Sequence, residues 1–186
     1  DKSLRWPLTD EATARKCLYG KAVEIRGPII VTENGSVVDG HHRWSQIYSC
    51  NAEATVKAES LSLQGQDPIE ALKAVQMAIA SVIKDVPSRE VKGTNLLDAD
   101  ESTIKSYVIK VLKDDLIPLY AEHGAGETRE EIADHIWGNV KTMQAKSQPI
   151  DKAPDRGVMP QTEDAPGWEK ALQSGKINYR PPFTGG

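Results

Sequence analysis

Apolar positions along this chain change character once. The first third mixes short β-branched runs with short helical stretches, and from residue 67 onward apolar residues recur at helical spacing. Gly27-Pro28-Ile29-Ile30-Val31-Thr32 leads into Glu33-Asn34-Gly35-Ser36, and Val37-Val38-Asp39 follows. Two such runs around Asn-Gly predict a β-hairpin. Gly40-His41-His42-Arg43-Trp44 then reads as a turn and a polar helix start. That helix is predicted to reach about Tyr48, with Trp44, Ile47 and Tyr48 on its apolar face. Before the hairpin, Ser3 to Pro7 is a short lead-in carrying Trp6. Thr9 is the predicted cap of a helix with Asp10 and Glu11 in its first turn, ending near Tyr19 at Gly20. Val23–Ile25 and Thr55–Leu63 read as further strands.

The second half is written as helices. Asp67-Pro68-Ile69-Glu70 is a helix start, and Ile69, Leu72, Ile79, Ile83 and Val86 continue its face until Pro87. Residues 88–97 form a loop. Asp98 or Asp100 opens the next helix, with Ile104, Val108, Val111 and Leu112 on one side, and Pro118 is predicted to kink or end it. After the break Gly124-Ala125-Gly126, Thr128-Arg129-Glu130-Glu131 has the pattern of a capping box. Ile132, Ile136, Val140 and Met143 form the stripe of the helix that follows. Beyond about Ser147, prolines and glycines dominate. Trp168, Tyr179 and Phe183 in that tail suggest an extended arm that packs on the body or on a partner.

Composition narrows the function classes. Only 39% of the 186 residues are apolar and there is a single phenylalanine, so the core rests on Ile, Leu, Val and Ala. A net charge of −4 argues against non-specific nucleic-acid binding. No apolar run approaches the roughly 20 residues of a membrane span. Cys17 and Cys50 form neither a disulfide framework nor a Cys-x-x-Cys metal pair, so a reducing compartment is the default expectation. Asp1 is not an initiator methionine, so targeting signals are not judged from this sequence.

The candidate chemistry lies at residues 39–43. Unpaired amides at a helix start attract anions, and Arg43 offers a bidentate phosphate donor. A nucleotide or phosphate is therefore placed on Gly40, His41, His42 and Arg43. Each residue has a plainer alternative. Arg43 could pair with Asp39, His42 could pack beneath the hairpin, and Asp39 could simply cap the helix. Trp44 reads as a core anchor rather than a stacking platform. Asp39, His41 and His42 as joint metal ligands is disfavoured, because adjacent histidines rarely converge on one ion, and no metal site is assigned. Glu24 and Glu33 are second carboxylates by proximity only, and His123 and His135 read as structural or exposed.

The run from Pro28 through the turn to Val37-Val38-Asp39-Gly40-His41-His42-Arg43-Trp44 resembles the ParB/sulfiredoxin-like superfamily. Gly40-His41-His42-Arg43 stands where ParB proteins carry a Gly-Glu-Arg-Arg phosphate box. The Asp-Gly-His-His-Arg form is similar to that of phage ParB-like proteins and of free-serine kinases. The resemblance covers roughly Ala22 to Leu63. It implies a nucleotide held at the glycine-led helix start: ATP, ADP or CTP with Mg2+. By the kinase resemblance, Asp39 would hold the magnesium ion or act as base on a substrate hydroxyl. His42 would add a hydrogen bond or a proton to a phosphoryl oxygen, and His41 could do the same from the other side. The sulfiredoxin cysteine is replaced by His41, which argues against cysteine repair. Thr128 to Ala133 resembles the opening of a helix-turn-helix, but Ile136 to Met143 runs on without a turn, so DNA reading is not expected.

The combined expectation is an α+β chain. Residues 1–66 form a small ParB/sulfiredoxin-like mixed-sheet domain, 67–147 a helical extension and 148–186 an irregular Pro/Gly-rich arm. The leading functional expectation is nucleotide or phosphate binding, as in an ATP- or ADP-dependent phosphotransferase, with Asp39 and His42 as the catalytic candidates. The alternatives are a structural or interaction protein, such as a phage-particle component using its arm to bind a protein partner, and a ParB-like nuclease. The expected location is the cytoplasm, or a virion under the phage reading.

Overall fold

A computed structural model of the protein describes residues 1–33, 35–61, 72 and 93–147. The fold is α+β, with a small mixed sheet and, among the described residues, six α-helices of more than one residue. The helix expected from Asp67 to Val86, apart from Leu72, and the arm with Trp168, Tyr179 and Phe183 lie outside the described residues, as does Asn34 of the hairpin turn.

Helix α1 (Arg5–Thr9) occupies the stretch read as a lead-in. Its five residues are too few to hold a helix alone. Burial of Leu4, Pro7 and Leu8 holds it instead. Thr9 is therefore the last residue of α1, bonding back to the Arg5 carbonyl at 3.0 Å. The cap of α2 (Glu11–Tyr19) is Asp10, which accepts from the Thr13 amide at 2.9 Å and its hydroxyl at 2.6 Å. Gly20 ends α2 as expected.

Strands β1 (Ile29–Thr32) and β2 (Val37–Asp39) form the predicted antiparallel hairpin. Ile30 faces Asp39 and Val31 faces Val37, with a register shift between Ile30 and Val31. Helix α3 (His41–Cys50) follows directly, and β3 (Ala58–Leu61) completes a sheet of order β2-β1-β3. The segment read as a strand at Val23–Ile25 contributes a single parallel bridge, Val23 to Val56.

Helix α4 (Glu101–Val111) is capped by Asp100, which accepts from the Thr103 amide at 2.9 Å. Pro118 does not end α4. It lies in the first turn of α5 (Ile117–Glu122), where a proline lacks no bond the helix would make. Helix α6 (Arg129–Lys146) begins with the full capping box: Thr128 accepts from the Glu131 amide, and the Glu131 carboxylate accepts from the Thr128 amide at 3.2 Å. It runs unbroken for 18 residues, so the Thr128–Ala133 stretch does not turn into a second, recognition helix. Among the described residues no helix is long and apolar enough to cross a membrane.

The described chain divides into two compact units. One holds residues 1–29, 40–59 and 93–147, and the other holds 30–39 with 60, 61 and 72. The first unit has a continuous core from Leu8 and Leu18 through Ile47 to Ile104, Val108, Ile132, Ile136 and Val140. At its centre the fully buried Tyr120 donates its hydroxyl to the Pro7 carbonyl at 3.0 Å. Cys17 and Cys50 are both free and buried beside it. Contact with Cys50 and burial push the Cys17 thiol well above its usual range, so it is protonated and inert.

Candidate functional site

Helix α3 is held at both ends by the first unit. At its C-terminus the Ser49 carbonyl accepts from Asn139 at 3.0 Å and the Cys50 carbonyl from His135 at 2.9 Å, both donors lying on α6. These bonds satisfy carbonyls that a helix end leaves unpaired. Along its length Gln46 is buried with both its amide oxygen and its amide nitrogen bonded. It accepts from the Trp6 amide at 2.8 Å and donates to the His42 carbonyl at 3.0 Å. His135 is thus structural, as expected. His123 packs edge-on against Tyr19 with ring centres 5.1 Å apart.

The N-terminus of α3 is built on Gly40. Its φ of 88° and ψ of 22° lie in the left-handed region, which a residue without a Cβ adopts freely. The N-cap position is held by Gly40, which has no side chain to cap the first turn, rather than by Asp39. Asp39 is the last residue of β2, opposite Ile30. A Cβ on Gly40 would lie 2.8 Å from Ile29 Cγ2 and 2.9 Å from both Nε and one terminal nitrogen of Arg43. The Arg43 guanidinium is thus folded back over the residue that starts its own helix. Its other terminal nitrogen, Nη1, reaches the Arg26 carbonyl at 3.5 Å and would lie 3.3 Å from a Cβ on Gly27. Two glycines, 27 and 40, leave room for one planar cation.

Arg26 was not singled out by sequence pattern. It has a φ of 56°, uncommon for a residue with a Cβ, and Gly27 follows at 118°. Its guanidinium lies 4.0 Å above the Trp6 ring, a cation–π arrangement. Arg26 thus meets Arg43 through its backbone carbonyl, while its own guanidinium is spent on the Trp6 ring.

The two histidines separate. His41 is exposed, whereas His42 is half-buried and its Nδ1 lies 3.0 Å from the Ser3 hydroxyl. Gly93 lies against the same edge of this ring, where a Cβ would come within 2.5 Å of His42 Cε1 and 2.8 Å of the Ser3 oxygen. So Gly40 and Arg43 are brought together and His42 is tied to Ser3. Ser3, Arg26, Gly93 and Thr94 carried no signal in the periodicity; a single sequence offers none for contacts this distant. Glu24 is engaged at the surface with Lys57 at 2.8 Å, and Glu33 is exposed. Among the described residues no three His, Cys, Asp or Glu side chains gather as a metal-binding group. Chemically, the arrangement offers a helix N-terminus led by Gly40 and the Arg43 guanidinium folded over it, a set suited to an anion. In comparisons with known proteins, no family model matches the chain, and no curated protein and no solved structure matches it.

Proposed function

We propose that the Gly40–Arg43 segment binds the phosphate of a nucleotide, and that the chain is a ParB/sulfiredoxin-like protein acting as an ATP- or ADP-dependent phosphotransferase. One observation carries the reading: the Arg43 guanidinium lies against the left-handed Gly40 that starts α3. Amide donors and a fixed bidentate cation at one helix end favour a phosphate dianion over a carboxylate or a neutral ligand. His42 would exchange a proton with the phosphoryl group or its acceptor, and Asp39, next in the chain, would serve the magnesium ion or the acceptor hydroxyl. Positioning and charge stabilisation would provide most of the rate. CTP is the other nucleotide to test, by the ParB resemblance.

The test is thermal stabilisation by ATP, ADP, CTP and GTP with magnesium, beside Arg43→Ala. A ligand at 100 times its dissociation constant adds about 2.7 kcal/mol. The expected result is a clear rise in Tm for one nucleotide that Arg43→Ala abolishes.

A second reading has its own support. Arg43 and His42 both spend contacts inside the protein, on the Arg26 carbonyl and on Ser3. A domain inherited as scaffold, in a structural or interaction protein such as a phage-particle component, would use them in this way. No shift with any nucleotide would favour that reading and redirect the search to a protein partner for residues 148–186. The nuclease reading gains nothing from the described residues.

A further inference from the structure

Two arginines of the first unit converge on one indole. The Arg26 guanidinium carbon lies 4.0 Å from the centre of the Trp6 ring, and that of Arg5 lies 5.7 Å from it. Both side chains are exposed, and among the described residues neither has a carboxylate partner. Arg15 and Arg129 differ, for they meet Glu11 at 3.2 Å and Asp114 at 2.7 Å. Two like charges on one ring repel within the Debye length, about 10 Å at 0.1 M salt. The arrangement also carries backbone strain, since Arg26 has a φ of 56°. Trp6 is half-buried, and its amide donates to Gln46 at 2.8 Å, which ties this segment to α3.

The same unit carries the complementary charge where α5 meets α6. Asp115, Glu122, Glu127 and Glu130 are exposed there, and among the described residues none has a cationic partner. The Arg129–Asp114 pair at 2.7 Å draws the start of α6 onto the segment that holds Asp115. Glu122 ends α5, and the Ala125 amide turns back to the Tyr120 carbonyl at 2.9 Å, so Glu122 and Glu127 flank one tight turn. A net charge of −4 disfavours a polyanion as the occupant of the Arg5–Arg26 surface. A second copy of the chain brings a local carboxylate cluster of the right sign.

We propose that the Arg5–Trp6–Arg26 surface docks the acidic α5–α6 corner of a second copy of this chain. Tryptophan and arginine are the residues on which interface energy concentrates. The indole engages the face of a guanidinium, whose N–H donors lie in its plane and take a carboxylate in pairs. The indole thus holds the Arg26 guanidinium in place, which lowers the entropy lost on pairing. An ordinary exposed ion pair gains little because both side chains must be ordered. The contact joins two different patches, so it is heterologous: each added copy leaves one surface of each kind unfilled. Copies therefore add head to tail, until a ring closes or a filament grows. This association does not depend on the phosphate reading of Gly40–Arg43.

The experiment is sedimentation velocity of the full chain over a wide range of concentrations, at low and at high salt. It compares wild type with Arg5→Glu/Arg26→Glu and with Glu122→Lys/Glu127→Lys, each checked for folding by circular dichroism. The wild-type sedimentation coefficient is expected to rise with concentration at low salt and to stay at the monomer value at high salt. Each double variant alone is expected to stay monomeric, because its two surfaces then carry the same sign. An equimolar mixture of the two variants is expected to associate again, since each supplies the charge the other lacks. Arg5→Gln/Arg26→Gln removes the charge without reversing it, and is expected to abolish the rise as well should the reversal unfold the chain. A wild type that stays monomeric at low salt overturns the proposal. So does association that only one of the two double variants loses, or a mixture of folded variants that stays monomeric. Binding of a single-stranded oligonucleotide that Arg5→Glu/Arg26→Glu abolishes, with no self-association of wild type, gives the surface to nucleic acid and overturns it too.

Discussion

Gly40 joins two demands that only glycine meets together. Its φ of 88° strains any residue with a Cβ, and the space a Cβ would fill is taken by Ile29 and the Arg43 guanidinium. Gly124 separates the two effects, since its φ of 79° is similar but nothing lies within 4 Å of its missing Cβ. Gly124→Ala therefore measures backbone strain, and Gly40→Ala measures strain plus collision. Gly40→Ala is expected to lower stability by more than about 1 kcal/mol in urea titration, and by clearly more than Gly124→Ala. Equal losses would mean that the guanidinium does not press on Gly40. The collision also displaces Arg43, so any nucleotide-induced rise in Tm should shrink in Gly40→Ala and stay in Gly124→Ala.

Elements differ in how locally they are encoded. Helix α6 is written in neighbouring residues, as Thr128 and Glu131 exchange backbone bonds and Ile132, Ile136, Val140 and Met143 bury one stripe. Thr128→Ala should cost about 1 kcal/mol, read as a lower urea midpoint at unchanged slope. A loss under a few tenths would show that core burial alone holds that end. The start of α6, the hairpin and the start of α3 were legible because turn and cap chemistry act within four residues. Helix α1 was not, because its stability comes from Leu4 and Leu8 in a distant core. The inner face of α3 was legible in part. Trp44, Ile47 and Tyr48 pack on the core as periodicity predicts, the two aromatics half-buried, but Ser45, Gln46, Ser49 and Cys50 are buried too. Gln46 is tolerated there because the Trp6 amide and His42 carbonyl satisfy it, and Ser49 bonds to the Gln46 carbonyl at 3.2 Å. Of the candidate site, the glycine-led helix start could be read from sequence. The contacts of Ser3 with His42 and Thr94 and the stacked Arg26 could not, since their partners meet only after the chain folds.

At the scale of the whole molecule, acid stability should follow from how the helices begin. Asp10 and Asp100 open α2 and α4 in the same way: each carboxylate accepts from the amide and the hydroxyl of the threonine three residues on. Hydrogen bonds to the charged form hold both carboxyls below their usual pKa, and in both cases the bonds to that threonine are the largest cause. The sign follows from proton binding. Between the depressed folded pKa and the ordinary unfolded one, the unfolded chain binds more protons, so stability rises with pH. The contribution is complete above the ordinary aspartate pKa, near 4, and is lost as pH falls through the folded values. Asparagine caps a helix about as well as aspartate but does not titrate in this range. The double variant Asp10→Asn/Asp100→Asn should therefore fold like wild type at pH 7. Its Tm should fall less than that of wild type between pH 5 and pH 2.5. Parallel Tm curves for the two proteins would place the acid sensitivity elsewhere. A variant already unstable at pH 7 would show that the charge itself, acting on the helix dipole, matters more than the capping bonds.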